Sequence, residues 1–494
     1  MIVQTQAGWV EGFIENDIPT FLGIPYAAPI TEENRFLAPQ PVEPWQGVRS
    51  AKMFSPVCPQ YPTYGPVGSA ATSRLLIGND FLTVNVRTPD LMGKAPVLVW
   101  IHGGGYAVGS ANEPLLQTGA FAASGVVEVS VNYRLGALGF MHLGGECPDN
   151  RGLLDQIAAL RWVQNNIAAF GGDPRRVTFS GRSAGGFSVA AVMAMPDASG
   201  LFSQVLLQSG ASTAVSSKED AQKVTNRMLR SLGINVGDLS TLSIERLLLA
   251  QKAICDESYH HHDYERDGGV TALGVPFVPV IDARSLPYHP EQAAKARLVA
   301  QVPMMIGCTT GEYMTHSQVH SALTFADAAQ RLDPRVRPFG LRGVDIIHRY
   351  REHLPDHTAL GLWRAIGGDL VFQNPSTRFA QYHSRYQPVY KYLYGTIEDD
   401  ERGAPHGAEA GHVWYRDRAD LHHLRADQRI IDAKFARTLH TLWSSFIHHQ
   451  PPASENVHWQ TFSEAKPIVL RLTPEKIWHE VDPFGQRIHW WKTE

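Results

Sequence analysis

A serine held between glycines at a strand-to-helix junction narrows the possible folds of this chain more than any other feature. The segment is Thr178-Phe179-Ser180-Gly181-Arg182-Ser183-Ala184-Gly185-Gly186. Val177 to Phe179 reads as a short buried strand, and the apolar run from Phe187 to Met193 as the start of a helix. A turn that tight crowds the two backbones, and Gly181 and Gly185 stand at the crowded positions. The glycine-x-serine-x-glycine spacing is the one that exposes a serine nucleophile. Ser183 falls at a helix N-terminus, where free N–H groups and the dipole favour a developing negative charge. Arg182 is the odd member, a cation directly beside the nucleophile.

The 494 residues allow two domains or one large α/β domain. Apolar content of 44% against 19% charged fits a soluble chain with a substantial core. A net charge of −4 leaves no basic stripe, which argues against nucleic acid as a partner. The longest apolar runs, such as Ala95 to Ile101, fall far short of the ~20 residues of a bilayer span. Met1-Ile2-Val3-Gln4-Thr5 has neither a charged nor an apolar leader region, so no secretory signal is expected. Cys58, Cys147, Cys255 and Cys308 lie far apart without a C-x-x-C pair. Reduced thiols in a cytoplasmic protein are therefore the simplest reading, and a zinc site is not expected.

Strands are expected at Val10 to Phe13, Thr20 to Ile24, Val84 to Val86, Pro96 to Ile101, Val126 to Asn132, Val205 to Gln208 and Met304 to Ile306. Leu153 to Phe170 has helical apolar spacing. Strands alternating with long helices imply a mostly parallel sheet covered on both faces. Helix-rich stretches near 218–270 and 320–380 are expected as caps over the carboxyl ends of the strands, where open α/β sheets bind ligands. No Ser/Gly linker splits the chain, so 1–494 reads as one domain with helical insertions.

His102-Gly103-Gly104-Gly105-Tyr106 follows the strand that stops at Ile101. Consecutive glycines let backbone N–H groups point into a cavity, as an oxyanion hole requires. A phosphate loop would need Gly-Lys-Ser/Thr, which does not follow. The glycines at 103, 105 and 109 miss the dinucleotide spacing by one residue.

With these motifs together, the chain resembles the type B carboxylesterases of the α/β-hydrolase superfamily. The resemblance runs nearly end to end. It rests on Phe21-Leu22-Gly23-Ile24-Pro25-Tyr26, Arg35-Phe36, Asn132-Tyr133-Arg134-Leu135-Gly136 and Gly152-Leu153-Leu154-Asp155-Gln156. Phe170-Gly171-Gly172-Asp173-Pro174, the serine elbow and Leu207-Gln208-Ser209-Gly210 extend it. It implies an α/β-hydrolase fold and a serine esterase acting on small carboxylic esters, with no metal or cofactor. It further implies Ser183 as nucleophile, Glu312 as the acid in Gly307-Cys308-Thr309-Thr310-Gly311-Glu312-Tyr313, and His406 as the base in Gly403-Ala404-Pro405-His406-Gly407-Ala408-Glu409. The order nucleophile, acid, histidine is that of α/β-hydrolases. The N–H groups of Gly104, Gly105 and Ala184 are implied as the oxyanion hole. An acyltransferase or lactone-forming enzyme would use the same acyl-enzyme, and a binding protein on this fold usually lacks a triad member.

Three departures stand out. The family usually carries Glu where this chain has Arg182, and a buried guanidinium needs a carboxylate. Glu409 is the expected partner, with solvent or another acid as the alternative. Asn79-Asp80-Phe81-Leu82 replaces the family's Glu-Asp-Cys-Leu, which leaves Cys58 without an evident partner and allows Asn79 only a hydrogen bond to Arg35. Gly311 and Tyr313 flank the acid where Asp and Gly are usual. Of two further features, His260-His261-His262-Asp263 matches no metal-ligand spacing and reads as a solvated loop. Trp363, Phe372, Tyr106, Trp443 and Phe140 are candidate pocket aromatics, each more often core.

Overall fold

The structure is a computed structural model. It describes residues 1–61, 63–64, 67–68, 76–261, 263–312, 323–395, 401–416 and 432–491. Its backbone is an eleven-stranded sheet. In chain order the strands are β1 Phe13–Glu15, β2 Ile18–Pro25, β3 Thr83–Arg87, β4 Ala95–Ile101, β5 Val127–Val131, β6 Gly172–Arg182, β7 Gln204–Gln208, β8 Met304–Thr309, β9 Val389–Tyr394, β10 Ile468–Leu472 and β11 Ile477–Val481. Their spatial order is β11-β10-β9-β8-β7-β6-β4-β5-β3-β2-β1. From β5 to β10 every neighbouring pair is parallel, and only the two margins are antiparallel. This is the α/β-hydrolase arrangement expected from the sequence.

Parallel strands buried on both faces read as unbroken apolar runs, and β4 is the clearest. Val97, Val99 and Ile101 face one core with Phe179, Val205 and Ile306. Leu98 and Trp100 face the other with Leu206, Met305 and Tyr392. The helices that matter below are α1 Arg151–Asn166, α2 Ala184–Met193, α3 Lys218–Leu232, α4 Ile244–His261, α5 Phe325–Val336, α6 Gly343–His353, α7 Ala359–Gly368, α8 Asn374–His383 and α9 Ala433–Ile447. Every residue of α2 is buried, which its apolar composition requires. Leu439, Trp443 and Phe446 of α9 close the second core.

Two expected strands come out differently. Val10 to Phe13 divides at Gly12, where a Cβ would stand 2.5 Å from the Thr20 carbonyl oxygen. Trp9–Glu11 joins a separate three-stranded sheet, while Phe13–Glu15 pairs with β2. The strand before the elbow is longer than Val177 to Phe179, running from Gly172 to Arg182 with an irregularity between Gly172 and Val177.

One buried ion pair ties the segment after β5 to α1. Arg134 donates to both oxygens of Asp155 on α1 and to the carbonyls of Arg35 and Leu37, and both charged side chains are fully buried. The donors and acceptors are satisfied on both sides, as a buried pair demands. Among the described residues, no helix is long and apolar enough to cross a membrane.

Candidate active site

The turn at Ser183 is built by steric exclusion. β6 ends at Arg182 and α2 begins at Ala184, which leaves Ser183 with φ 57° and ψ −123°. Such a conformation costs a non-glycine residue ~1–3 kcal/mol and persists only when surrounding bonds hold it. Here the Ser183 N–H donates to the Gln208 carbonyl at 2.9 Å, and its carbonyl accepts from the Phe187 N–H at 2.9 Å. A Cβ on Gly181 would stand 2.5 Å from the Gly185 backbone, and one on Gly185 would stand 2.1 Å from the Ile101 carbonyl oxygen. Both glycines are therefore obligatory.

The glycine loop lies directly over this turn. A Cβ on Gly103 would come within 3.0 Å of the Ser183 Cβ. Gly104 and Gly105 take positive φ values of 112° and 59°, and the Ala107 and Val108 N–H groups fold back onto the Gly104 carbonyl at 3.1 Å. Among the described residues, no acceptor takes the N–H of Gly104, Gly105 or Ala184. His102 at the loop's start is buried, stacks on Tyr133 at 4.5 Å, and has its pKa pushed down to about 4 by burial. It brings no charge to the loop.

Glu312 and His406 come together from segments 94 residues apart. Glu312 leaves the carboxyl end of β8, is buried, and accepts the Thr309 N–H on Oε1 at 2.6 Å. Its Oε2 is hydrogen-bonded to Nδ1 of His406. The two loops are fastened along their backbones. Gly311 N–H donates to the Ala404 carbonyl at 2.8 Å, Ala404 N–H donates to Thr310 Oγ1 at 2.8 Å, and Gly311 bridges Pro405. A Cβ on Gly311 would stand 2.1 Å from the Arg402 carbonyl oxygen, which explains a glycine where the family usually has Asp. Tyr313 lies outside the described residues. No hydrogen bond joins Ser183 Oγ to His406 among the described residues, and such catalytic contacts commonly tighten only when substrate binds.

Three contributors to this site were not singled out from the sequence. A π-helical turn, Asp369–Gln373, separates α7 from α8. It sets the Phe372 ring 5.0 Å from the His406 ring and 5.8 Å from Phe187, and sends Gln373 Nε2 to the Thr309 carbonyl at 2.6 Å. Phe372 was among the candidate aromatics, whereas Trp363, Tyr106, Trp443 and Phe140 are core residues. Gln208 and Tyr392 are the others, and both donate to Glu409 Oε1, at 3.2 and 3.3 Å. π-turns within helices recur at functional sites, but no single-residue motif marks one in advance.

The expected Arg182–Glu409 bond is not formed. Arg182 pairs in register with Gln208, so both side chains rise from one face of the sheet toward the histidine loop. There the guanidinium lies over Gly407, whose Cβ would stand 3.2 Å from Nη1. Nη1 and Glu409 Oε2 are both buried without a hydrogen-bond partner. Gln208 and Tyr392 hold the carboxylate through its other oxygen. Burial pushes the Glu409 carboxyl above the usual range and the neighbouring Glu312 charge adds to this, while Arg182 acts through space in the opposite sense.

Elsewhere, Arg35 sends Nη1 to the Leu242 carbonyl at 2.7 Å rather than to the Asn79 side chain. Cys58 is a free buried thiol whose sulfur accepts the Leu135 N–H at 3.3 Å. His260 and His261 end α4, and His262 lies outside the described residues. No group of three or more His, Cys, Asp or Glu residues that could hold a metal occurs among the described residues.

Comparison with known proteins agrees with this geometry. The model of the carboxylesterase family matches residues 1–337 and 344–491. The para-nitrobenzyl esterase of Bacillus subtilis is 35% identical over 504 residues, covering 98% of this chain and 97% of that protein. The phenmedipham hydrolase of Pseudarthrobacter oxydans is 31% identical over 498 residues, covering 96% and 95%. A solved PNB esterase structure superposes with a TM-score of 0.85 at 32% identity and covers all of both chains. The chain thus belongs to the carboxylesterase family and is a serine carboxylesterase, an enzyme that hydrolyses carboxylic esters.

Proposed function

We propose that Ser183, His406 and Glu312 are the catalytic triad, with the N–H groups of Gly104, Gly105 and Ala184 as the oxyanion hole. The carrying observation is the two-sided capture of Glu312. Thr309 N–H fixes one oxygen and leaves the other for His406 Nδ1. That holds Nδ1 as the protonated nitrogen and turns Nε2 into the base. A serine hydroxyl is a weak nucleophile at its free pKa, so His406 takes its proton as Oγ attacks the ester carbonyl. Glu312 stabilises the imidazolium that results. The three N–H groups, free of internal acceptors, stabilise the tetrahedral oxyanion at ~3 kcal/mol per donor. His406 then protonates the leaving alcohol, and water hydrolyses the acyl-enzyme with the same residue as base.

In this reading Arg182 and Glu409 act from behind the histidine, and residues 1–494 work as one domain. The helical stretches near 218–270 and 320–380 cover the entrance; Phe372 approaching His406 from the second stretch supports this. A cytoplasmic location is supported by four cysteines that are all free. The deciding experiment compares wild type with Ser183→Ala on a p-nitrophenyl ester. Wild-type turnover should exceed the variant by at least about 10³-fold, and equal rates would defeat the assignment.

A further inference from the structure

The π-helical turn Asp369–Gln373 is held along its whole length. At its first residue, buried Asp369 accepts on Oδ2 the Tyr350 hydroxyl at 2.6 Å and Arg487 Nε at 2.8 Å. In its middle, the Val371 carbonyl accepts Thr213 Oγ1 at 2.7 Å. At its last residue, Gln373 Nε2 donates to the Thr309 carbonyl at 2.6 Å. That last bond is the one that reaches the acid loop, since Thr309 lies three residues before Glu312.

Thr309 is fully buried and its Oγ1 has no hydrogen-bond partner among the described residues, so its backbone groups are what fix it. Its N–H closes a turn onto Glu312 Oε1 at 2.6 Å. Its carbonyl belongs to the next peptide unit, whose N–H, that of Thr310, donates to the Tyr394 carbonyl at 2.9 Å. A peptide unit is planar, and bonds on both of its sides fix its rotation. That rotation sets the direction in which the chain leaves Thr309 toward Glu312. Glu312 then meets His406 Nδ1 through its other oxygen.

Packing does not call for an amide at this place. Gln373 is 3% exposed, and its Oε1 is buried without a hydrogen-bond partner among the described residues. Burying an unpaired amide oxygen destabilises a fold, and an apolar side chain of the same length avoids that loss. The end of β8 is joined to α8 independently, by the 3.3 Å contact of Cys308 Sγ with Ser376 Oγ. What the amide adds is a donor aimed at the Thr309 carbonyl.

We infer that Gln373 is a positioning residue for ester hydrolysis: by holding the Thr309 carbonyl it sets the turn in which Thr309 N–H orients Glu312 against His406. The inference rests on the triad assignment above and adds a residue that acts through Glu312.

The test is a double-mutant cycle on a neutral p-nitrophenyl ester. It combines Gln373→Met, which keeps the side-chain length and removes the donor, with Glu312→Gln. Alone, Gln373→Met should lower kcat about tenfold, a partial loosening because Tyr394 still holds the same peptide unit. KM should stay within about threefold. In the Glu312→Gln background the same substitution should change kcat by less than about twofold, because the residue it acts through is already disabled. Tm should stay within about 3 °C of wild type, since the unpaired Oε1 is lost together with the donor. Equal kcat losses in the two backgrounds overturn the inference. So does a lowered Tm with the kcat of the folded protein within about twofold of wild type. Wild-type kcat in the Glu312→Gln single variant would instead overturn the triad assignment, so the two failures are distinguishable.

Discussion

Gly185 stands so close to Ile101 that a single added Cβ would lie 2.1 Å from the Ile101 carbonyl oxygen. The contact joins the first turn of α2 to the carboxyl end of β4, so Ser183 and the glycine loop share one packing constraint. Neither atom is at the tip of a flexible side chain, and relief requires backbone movement. Gly185→Ala should destabilise the fold by about 3 kcal/mol and lower turnover beyond that loss. Urea unfolding gives the first quantity; the specific activity of the remaining folded protein gives the second.

Glu312→Gln should cost about 10³–10⁴-fold in kcat with little change in stability. Thr309 N–H needs an acceptor, so the amide oxygen stays on that side and the NH₂ faces His406 Nδ1. The imidazole is then forced into the tautomer that has no base toward Ser183. A kcat within tenfold of wild type would show that Glu312 does not set the tautomer.

Gly311→Ala should lower kcat about 10–100-fold, because a misplacement near 1 Å has that effect. The Arg402 carbonyl occupies the space a Cβ would take. The acid loop must move away from the histidine loop, and the Glu312–His406 bond lengthens. KM for a neutral p-nitrophenyl ester should stay within about threefold, and a pure KM effect would count against the argument.

Burial raises the Glu128 pKa to about 7, although its carboxylate accepts the Phe121 and Ala122 N–H groups and lies near Arg87 and Arg416. Its folded value lies above its unfolded one. Its contribution to stability is therefore fully present below about pH 4.5 and is lost as pH rises through about 7. The shift corresponds to about 3 kcal/mol. Glu128→Gln, which keeps an acceptor for both N–H groups, should be more stable than wild type at pH 8 and indistinguishable from it at pH 4.5. Thermal melts across that range measure the difference.

Asp155→Ala should destabilise by about 3–5 kcal/mol, because it strands the fully buried Arg134 guanidinium. Equilibrium denaturation showing a loss below about 1 kcal/mol would mean that water or a neighbour compensates the charge.

Much of the fold was legible because β4, β5, β7 and β8 are short apolar runs bounded by turns. Val389–Tyr394 escaped notice because Lys391 interrupts Val-Tyr-Lys-Tyr-Leu-Tyr, yet all six residues are buried. A lysine inside a central strand contradicts the pattern by which such strands are read. Of the proposed triad, Ser183 is marked by its own glycine spacing, whereas Glu312 and His406 were named through the resemblance to the family, and the structure brings those two into hydrogen-bond contact. What the sequence did not disclose is how the residues behind the histidine divide their hydrogen bonds. Gln208 and Tyr392 come from two different strands to hold Glu409, and neither position carries a local signal. The Arg182–Glu409 bond was expected because a buried guanidinium needs a carboxylate, yet Nη1 and Oε2 both stay without a hydrogen-bond partner.

The backbone bridge between Gly311 and Pro405 ties the segment of Glu312 directly to that of His406, across the chain that runs between them. That interval contains α5 to α8 and β9, including the turn that brings Phe372 to His406. The bridge thus gives the Glu312–His406 contact a support that does not pass through the side chains of that interval. Changing side chains around Phe372 therefore leaves that backbone support of Glu312 and His406 in place, a division of labour built into one two-residue ladder.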